Sequence, residues 1–166
     1  MEHGLAEAPA WLVALETSGL GHALRSSLWL FPAVETLHIV GFAVLVGAIV
    51  AFDLRLLTAD GDFDVERWVR RLVPVAATGL ILAMAMGALL FTSEATAFAR
   101  NPLFLAKMTL LVLALLNVAW FHLGPLRLRR TIGPSIGIPT AMRASAALSM
   151  AGWLAVLVCG RLIAYV

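Results

Sequence analysis

Charge, cysteine and polar stretches are all scarce in this chain, and each shortage excludes a class of protein. Asp, Glu, Lys and Arg make up only 13% of its 166 residues, whereas hydrophobic residues make up 61%. A soluble domain would carry about a quarter charged residues, so a soluble fold is excluded and an integral membrane protein is expected. The one cysteine, Cys159, rules out an internal disulfide and any thiolate cluster for zinc or iron and sulfur. It reads instead as a small apolar packing residue. The formal net charge is +2, with the arginines in blocks beside apolar runs, so they set membrane topology and give no reason to expect nucleic acid. Residues 1–16 have no basic stretch, carry Glu2 and Glu7, and hold only the short apolar run 8–15, so no cleavable signal peptide is expected. Met84 and Met86 stand two apart and would point to different faces of a helix, which argues for packing rather than a metal pair.

What the chain does have is apolar length. Four runs, at about residues 31–57, 70–93, 102–123 and 141–165, each suit a helix crossing the bilayer. The fold class expected is all-α: an integral membrane four-helix bundle, one domain over residues 1–166, with an N-terminal amphipathic helix at the interface. That helix is read from residues 8–20, where Trp11, Leu12 and Leu15 lie to one side and Gly19 and Gly21 interrupt. Asp60-Gly61 signals a turn after the first span, residues 93–101 read as a turn, and residues 124–140, rich in proline, glycine and arginine, read as a loop. Pro74 falls near the expected start of the second span, where it needs no special role.

Orientation follows from the arginines. Arg55, Arg67, Arg70 and Arg71 flank the first connection, and Arg127, Arg129, Arg130 and Arg143 the third. Eight of the twelve basic residues thus lie on one side, which the positive-inside rule makes the cytoplasm of a bacterial inner membrane, with both termini periplasmic.

Ionisable residues inside an apolar span are expensive and mark candidate sites. Glu35 and His38 are three apart near the start of the first span, so a helix puts them on one face. At 1.5 Å of rise per residue, His38 lies ~9 Å, Lys107 ~8 Å and Arg161 ~6 Å below the outer boundary. With Glu35 and Glu94 at or above that level, every span or its flank adds an ionisable group to one outer layer. As pure structure the layer would pair Glu35 with Lys107 and Glu94 with Arg161. As a site it would hold a haem b or a quinone. His38 would be the axial ligand, Gly41 would leave room for a flat macrocycle, Lys107 and Arg161 would neutralise propionates, and Trp153 would add to the binding surface. Glu35 would orient the imidazole or pass a proton, and Lys107 and Glu35 are the candidate catalytic groups. His22, near the start of the first span, and His122, near the end of the third, are further candidate metal ligands. His122 lies too far along its span to share a metal with His38, and with Asp53, Arg55 and Asn117 it forms an inner polar cluster.

The elements Leu37-His38-Ile39, with Arg55 seventeen residues beyond His38, and Ala106-Lys107-Met108 resemble the HemJ and copper-resistance-D group of four-span bacterial membrane proteins. The stretches WLFPAVETLHIVG, FDLRLL and LAKMTLLVLALLNVAWFHLG are closer still to a family of short bacterial membrane proteins. The HemJ resemblance implies b-type haem on His38 with Lys107 nearby and catalytically relevant. The leading expectation is therefore a haem-b-binding membrane protein with an electron-transfer or porphyrinogen-oxidase-like role, partnered by a quinone or a redox protein, with a homo-oligomer left open. The alternatives are a copper-handling or transport protein, for which no methionine or cysteine cluster is visible, and an accessory subunit without chemistry of its own.

Overall fold

The computed structural model describes residues 8–59, 63–132 and 137–165, and among these every regular element is helical. Two short helices, α1 (Ala10–Glu16) and α2 (Gly19–Ser26), precede the long α3 (Leu30–Thr58). Then come α4 (Val65–Ser93), the short α5 (Ala95–Arg100), α6 (Pro102–Leu123), the short α7 (Pro125–Ile132) and α8 (Thr140–Leu162), closed by a single 3-10 turn, Ile163–Tyr165. The four long helices are each long and apolar enough to cross a membrane, so the chain is a multi-pass α-helical membrane protein. Their outward faces carry Ile39, Ile81, Leu113, Leu116 and Leu148, all exposed, as a lipid-facing surface requires.

Local chemistry sets the helix starts. Ser18 accepts from the Gly21 N–H (3.2 Å), Asp64 from the Arg67 N–H (3.0 Å), and Asn101 from the Leu103 and Phe104 N–H groups, with Pro102 in the first turn. Several boundaries differ from the sequence expectation for this reason. The interfacial segment is two helices rather than one, because the Thr17 hydroxyl bonds back to the Val13 carbonyl and Ser18 starts a second helix. The second span begins at Val65, behind its Asp64 cap, which leaves Pro74 well inside the helix. The stretches read as a turn and a loop hold α5 and α7. Glu2, Glu7 and Asp60-Gly61 lie outside the described residues.

The helices line up in the order α4, α3, α8, α6. α3 packs most extensively on α4 and also on α8, and α8 packs on α6, whereas α4 and α6 hardly meet. Small residues allow the tight α3–α4 crossing. A Cβ at Gly41 would stand 2.7 Å from the Ala83 nitrogen, and one at Gly79 would stand 2.6 Å from the Leu45 nitrogen. Gly41 is therefore not space for a macrocycle, as the sequence had led us to expect, because the α4 backbone fills it.

Each end of the bundle is tied by charged side chains that satisfy helix termini. At one end, Arg25 of α2 donates to the Ser93 carbonyl at the end of α4 (2.6 Å). Glu16 of α1 accepts from the Thr96 N–H (2.9 Å) and hydroxyl (2.7 Å) at the start of α5. At the other end, the basic one, Arg143 donates to the Ala59 carbonyl (2.9 Å), Arg129 to the Phe63 carbonyl (3.2 Å), and Arg130 pairs with Glu66 (2.7 Å). These ties close over an apolar layer of Leu56, Val65, Phe121, Leu126 and Met142.

Candidate functional site

Two polar regions lie inside the bundle, one towards each end. The first is built on His38. Its Nδ1 stands 2.8 Å from the Ala83 carbonyl of α4. A carbonyl can only accept, so Nδ1 carries the proton and Nε2 presents a lone pair. The ring is seated on Gly87, where a Cβ would come within 3.0 Å of His38 Cε1. Thus α3 supplies the imidazole, and α4, through one carbonyl and one missing side chain, fixes its tautomer and plane. Lys107 of α6 and Glu35 both lie close enough to act on the ring electrostatically. Lys107 is half-buried, its Nζ against Gly160 of α8, and among the described residues no carboxylate comes within 4.0 Å of it. The Glu35–Lys107 and Glu94–Arg161 ion pairs do not form: Glu35 and Glu94 are exposed, and Arg161 instead donates to the Tyr165 hydroxyl and lies over its ring. Phe91, Phe98 and Phe104 stack at 5.5–6.3 Å and close the gap between α4 and α6 at this end.

The second region lies towards the basic end, where α4 and α6 part. A cleft of about 760 Å³, counting the space that opens outward, is walled by all four long helices and is almost wholly apolar. Its polar groups are Asp53 of α3, Asn117 and His122 of α6, and Ser145 and Ser149 of α8. Asn117 and Ser145 satisfy each other: the amide donates to the Ser145 carbonyl (3.0 Å) and accepts from its hydroxyl (3.1 Å), which clamps α6 to α8. Asp53 is only 4% exposed and its carboxyl lies beside the Ser149 hydroxyl, while its Oδ2 has no hydrogen-bond partner among the described residues. The indole N–H of Trp153, a fully buried residue that also lines the cleft, is likewise unpartnered. His122 donates Nδ1–H to the Val118 carbonyl of its own helix (2.9 Å), leaving Nε2 to accept.

The structure therefore sets Lys107 and Glu35 within electrostatic reach of His38, without a hydrogen bond from either to its ring among the described residues. It does not bring His22, His122, Arg161 or Trp153 to them. His22 is exposed on α2, while Trp153 packs edge-on against Phe42 (6.4 Å) in the other region. Among the described residues no three His, Cys, Asp or Glu side chains form a metal-binding group. Arg55, expected in the inner polar cluster, sits outside the cleft with its guanidinium 5.6 Å from the Phe63 ring centre. Sequence reasoning missed Trp153 as a member of the inner cleft and Ala83 and Gly87 as the seat of His38. A glycine in an apolar helix gives no sign of which distant ring it receives.

Fold and site together define a four-span α-helical membrane protein with ionisable side chains held inside the bundle. Compared with protein-family models, with curated proteins and with solved structures, the chain matches none.

Proposed function

We propose that this is a haem-b-binding protein of the bacterial inner membrane with a redox role, the haem iron taken by His38 Nε2. The observation that carries the reading is the 2.8 Å bond from Nδ1 to the Ala83 carbonyl. Metal-bound imidazoles characteristically donate their other N–H to a carbonyl or carboxylate, which fixes the ring and raises the basicity of the ligating nitrogen. The donor set fits a haem with one protein ligand in this region, since a porphyrin needs a single axial imidazole rather than a cluster. Lys107, with no carboxylate within 4.0 Å among the described residues, supplies the charge to neutralise a propionate, and Glu35 lies within electrostatic reach of the imidazole. When bound, the haem would supply one-electron chemistry. The chain's own contribution is to present the ligand in one tautomer, to balance charge through Lys107 and to exclude water with the phenylalanine stack.

The likeness of the His38 and Lys107 elements to the HemJ group supports the same reading. The eight arginines gathered at the basic end support placing that end in the cytoplasm and the termini in the periplasm. Purified protein expressed with haem supplied is expected to show a Soret band that moves on reduction. His38→Ala is expected to remove it while the protein still elutes as a folded species. Wild-type protein that stays colourless overturns the proposal.

A further inference from the structure

The cleft at the basic end lies outside the haem reading, because His38 does not line it. Its unmet hydrogen-bonding groups describe a ligand. Among the described residues a carboxyl oxygen of Asp53 and the N–H of Trp153 are buried without partners, and His122 Nε2 is left to accept. A buried polar group without a partner is costly, and in lipid no water replaces it. Such groups on residues that line one apolar cavity point to something that fills it. The walls are apolar and the cleft lies in the gap between α4 and α6, two helices that hardly pack on each other, so the entrant comes from the lipid.

The polar groups narrow the class. Among the described residues no lysine or arginine lines the cleft, which argues against a phosphate or a propionate, and its single carboxyl argues against a divalent cation. A lipophilic cation would satisfy Asp53 but leave the indole N–H of Trp153 without an acceptor. A flat, uncharged ring carrying two hydroxyls satisfies all three groups: the hydroxyls donate to Asp53 and His122, and the oxygen of one also accepts from Trp153. We infer that this cleft is a binding site for the headgroup of a membrane-soluble quinol, held by Asp53, His122 and Trp153. The site stands at the opposite end of the bundle from His38 and is independent of haem there.

The test uses full-length protein in nanodiscs, with decylubiquinol, kept reduced under anaerobic conditions, as the probe and tetraphenylphosphonium as the lipophilic cation. The quinol is expected to bind saturably, at one per chain, above its partition into empty nanodiscs. Asp53→Leu and His122→Phe are expected to weaken binding at least tenfold, and Ala76→Phe, which fills the cleft from the α4 wall, to abolish it. Thr78→Ala, on the lipid face of the same helix, is expected to leave it unchanged. Folding of each variant is followed by circular dichroism, and Ala76→Phe reads the site without touching a polar group. Binding equal to that of empty nanodiscs overturns the inference, as does full binding in folded Ala76→Phe. Asp53-dependent binding of tetraphenylphosphonium that the quinol does not displace also overturns it. None of these results depends on a Soret band.

Discussion

Gly79→Ala is the sharpest test of how α3 and α4 hold the His38 site. The added Cβ would stand 2.6 Å from the Leu45 nitrogen and 2.7 Å from the Gly41 oxygen, both backbone atoms that cannot rotate away. Ordinary contact begins at 3.4 Å, so the two helices must separate locally by about 0.8 Å. Overpacking of this kind costs about 1–3 kcal/mol. The gain in helix propensity from glycine to alanine, at most about 1 kcal/mol, offsets only part of it. The separation acts directly on the site, because the Ala83 carbonyl that holds His38 lies one turn along α4 from the substitution. Gly47→Ala is the control, for a Cβ there meets nothing within 4 Å, so the same change of residue type adds propensity without a clash. Reversible unfolding in mixed detergent and SDS, followed by circular dichroism, measures both. The expected result is a net loss of about 1–2 kcal/mol for Gly79→Ala and no loss for Gly47→Ala. Equal stability of the two variants would refute the close α3–α4 crossing and with it the seat of His38.

Other outcomes follow from the same contacts. Gly87→Val places a branched side chain where a Cβ alone would come within 3.0 Å of the His38 ring, so haem per chain by pyridine haemochrome assay is expected to fall with little change in unfolding midpoint. Arg25→Ala removes the 2.6 Å bond that satisfies the Ser93 carbonyl, and a loss of about 1.5–3 kcal/mol is expected in the same unfolding assay. Ser145→Ala leaves the Asn117 oxygen without its donor and is expected to cost about 1 kcal/mol, whereas Asn117→Leu combined with Ser145→Ala is expected to be nearly neutral, a difference that a double-mutant cycle reads directly.

Much of the architecture was legible because it depends on neighbouring residues. Apolar length marks the spans, and Asn101-Pro102 and Asp64 start their helices through bonds made within three residues. The boundaries that were misread, at Thr17-Ser18 and in the short helices α5 and α7, are stretches where turn residues and helix formers alternate. Lys107 was visible as a costly group at depth and Asp53 as part of an inner polar cluster, but their surroundings were not. Gly41 shows the limit most clearly: its spacing from His38 put it on the face expected to hold a ligand, yet that face meets α4.

The sequence by itself determined that the chain crosses the membrane in four helices, that its arginines gather at one end, and that a few ionisable side chains lie at membrane depth. These follow from runs of adjacent residues. Only the tertiary structure decided that the helices stand in the order α4, α3, α8, α6, that the Ala83 carbonyl, forty-five residues away, holds His38, and that Asp53 and Trp153 share a cleft with His122. The physical reason is that α3 and α6 are apolar on nearly every side, so periodicity names no inward face. The choice falls to where small residues let backbones approach and where a polar group finds, or lacks, a partner on another helix.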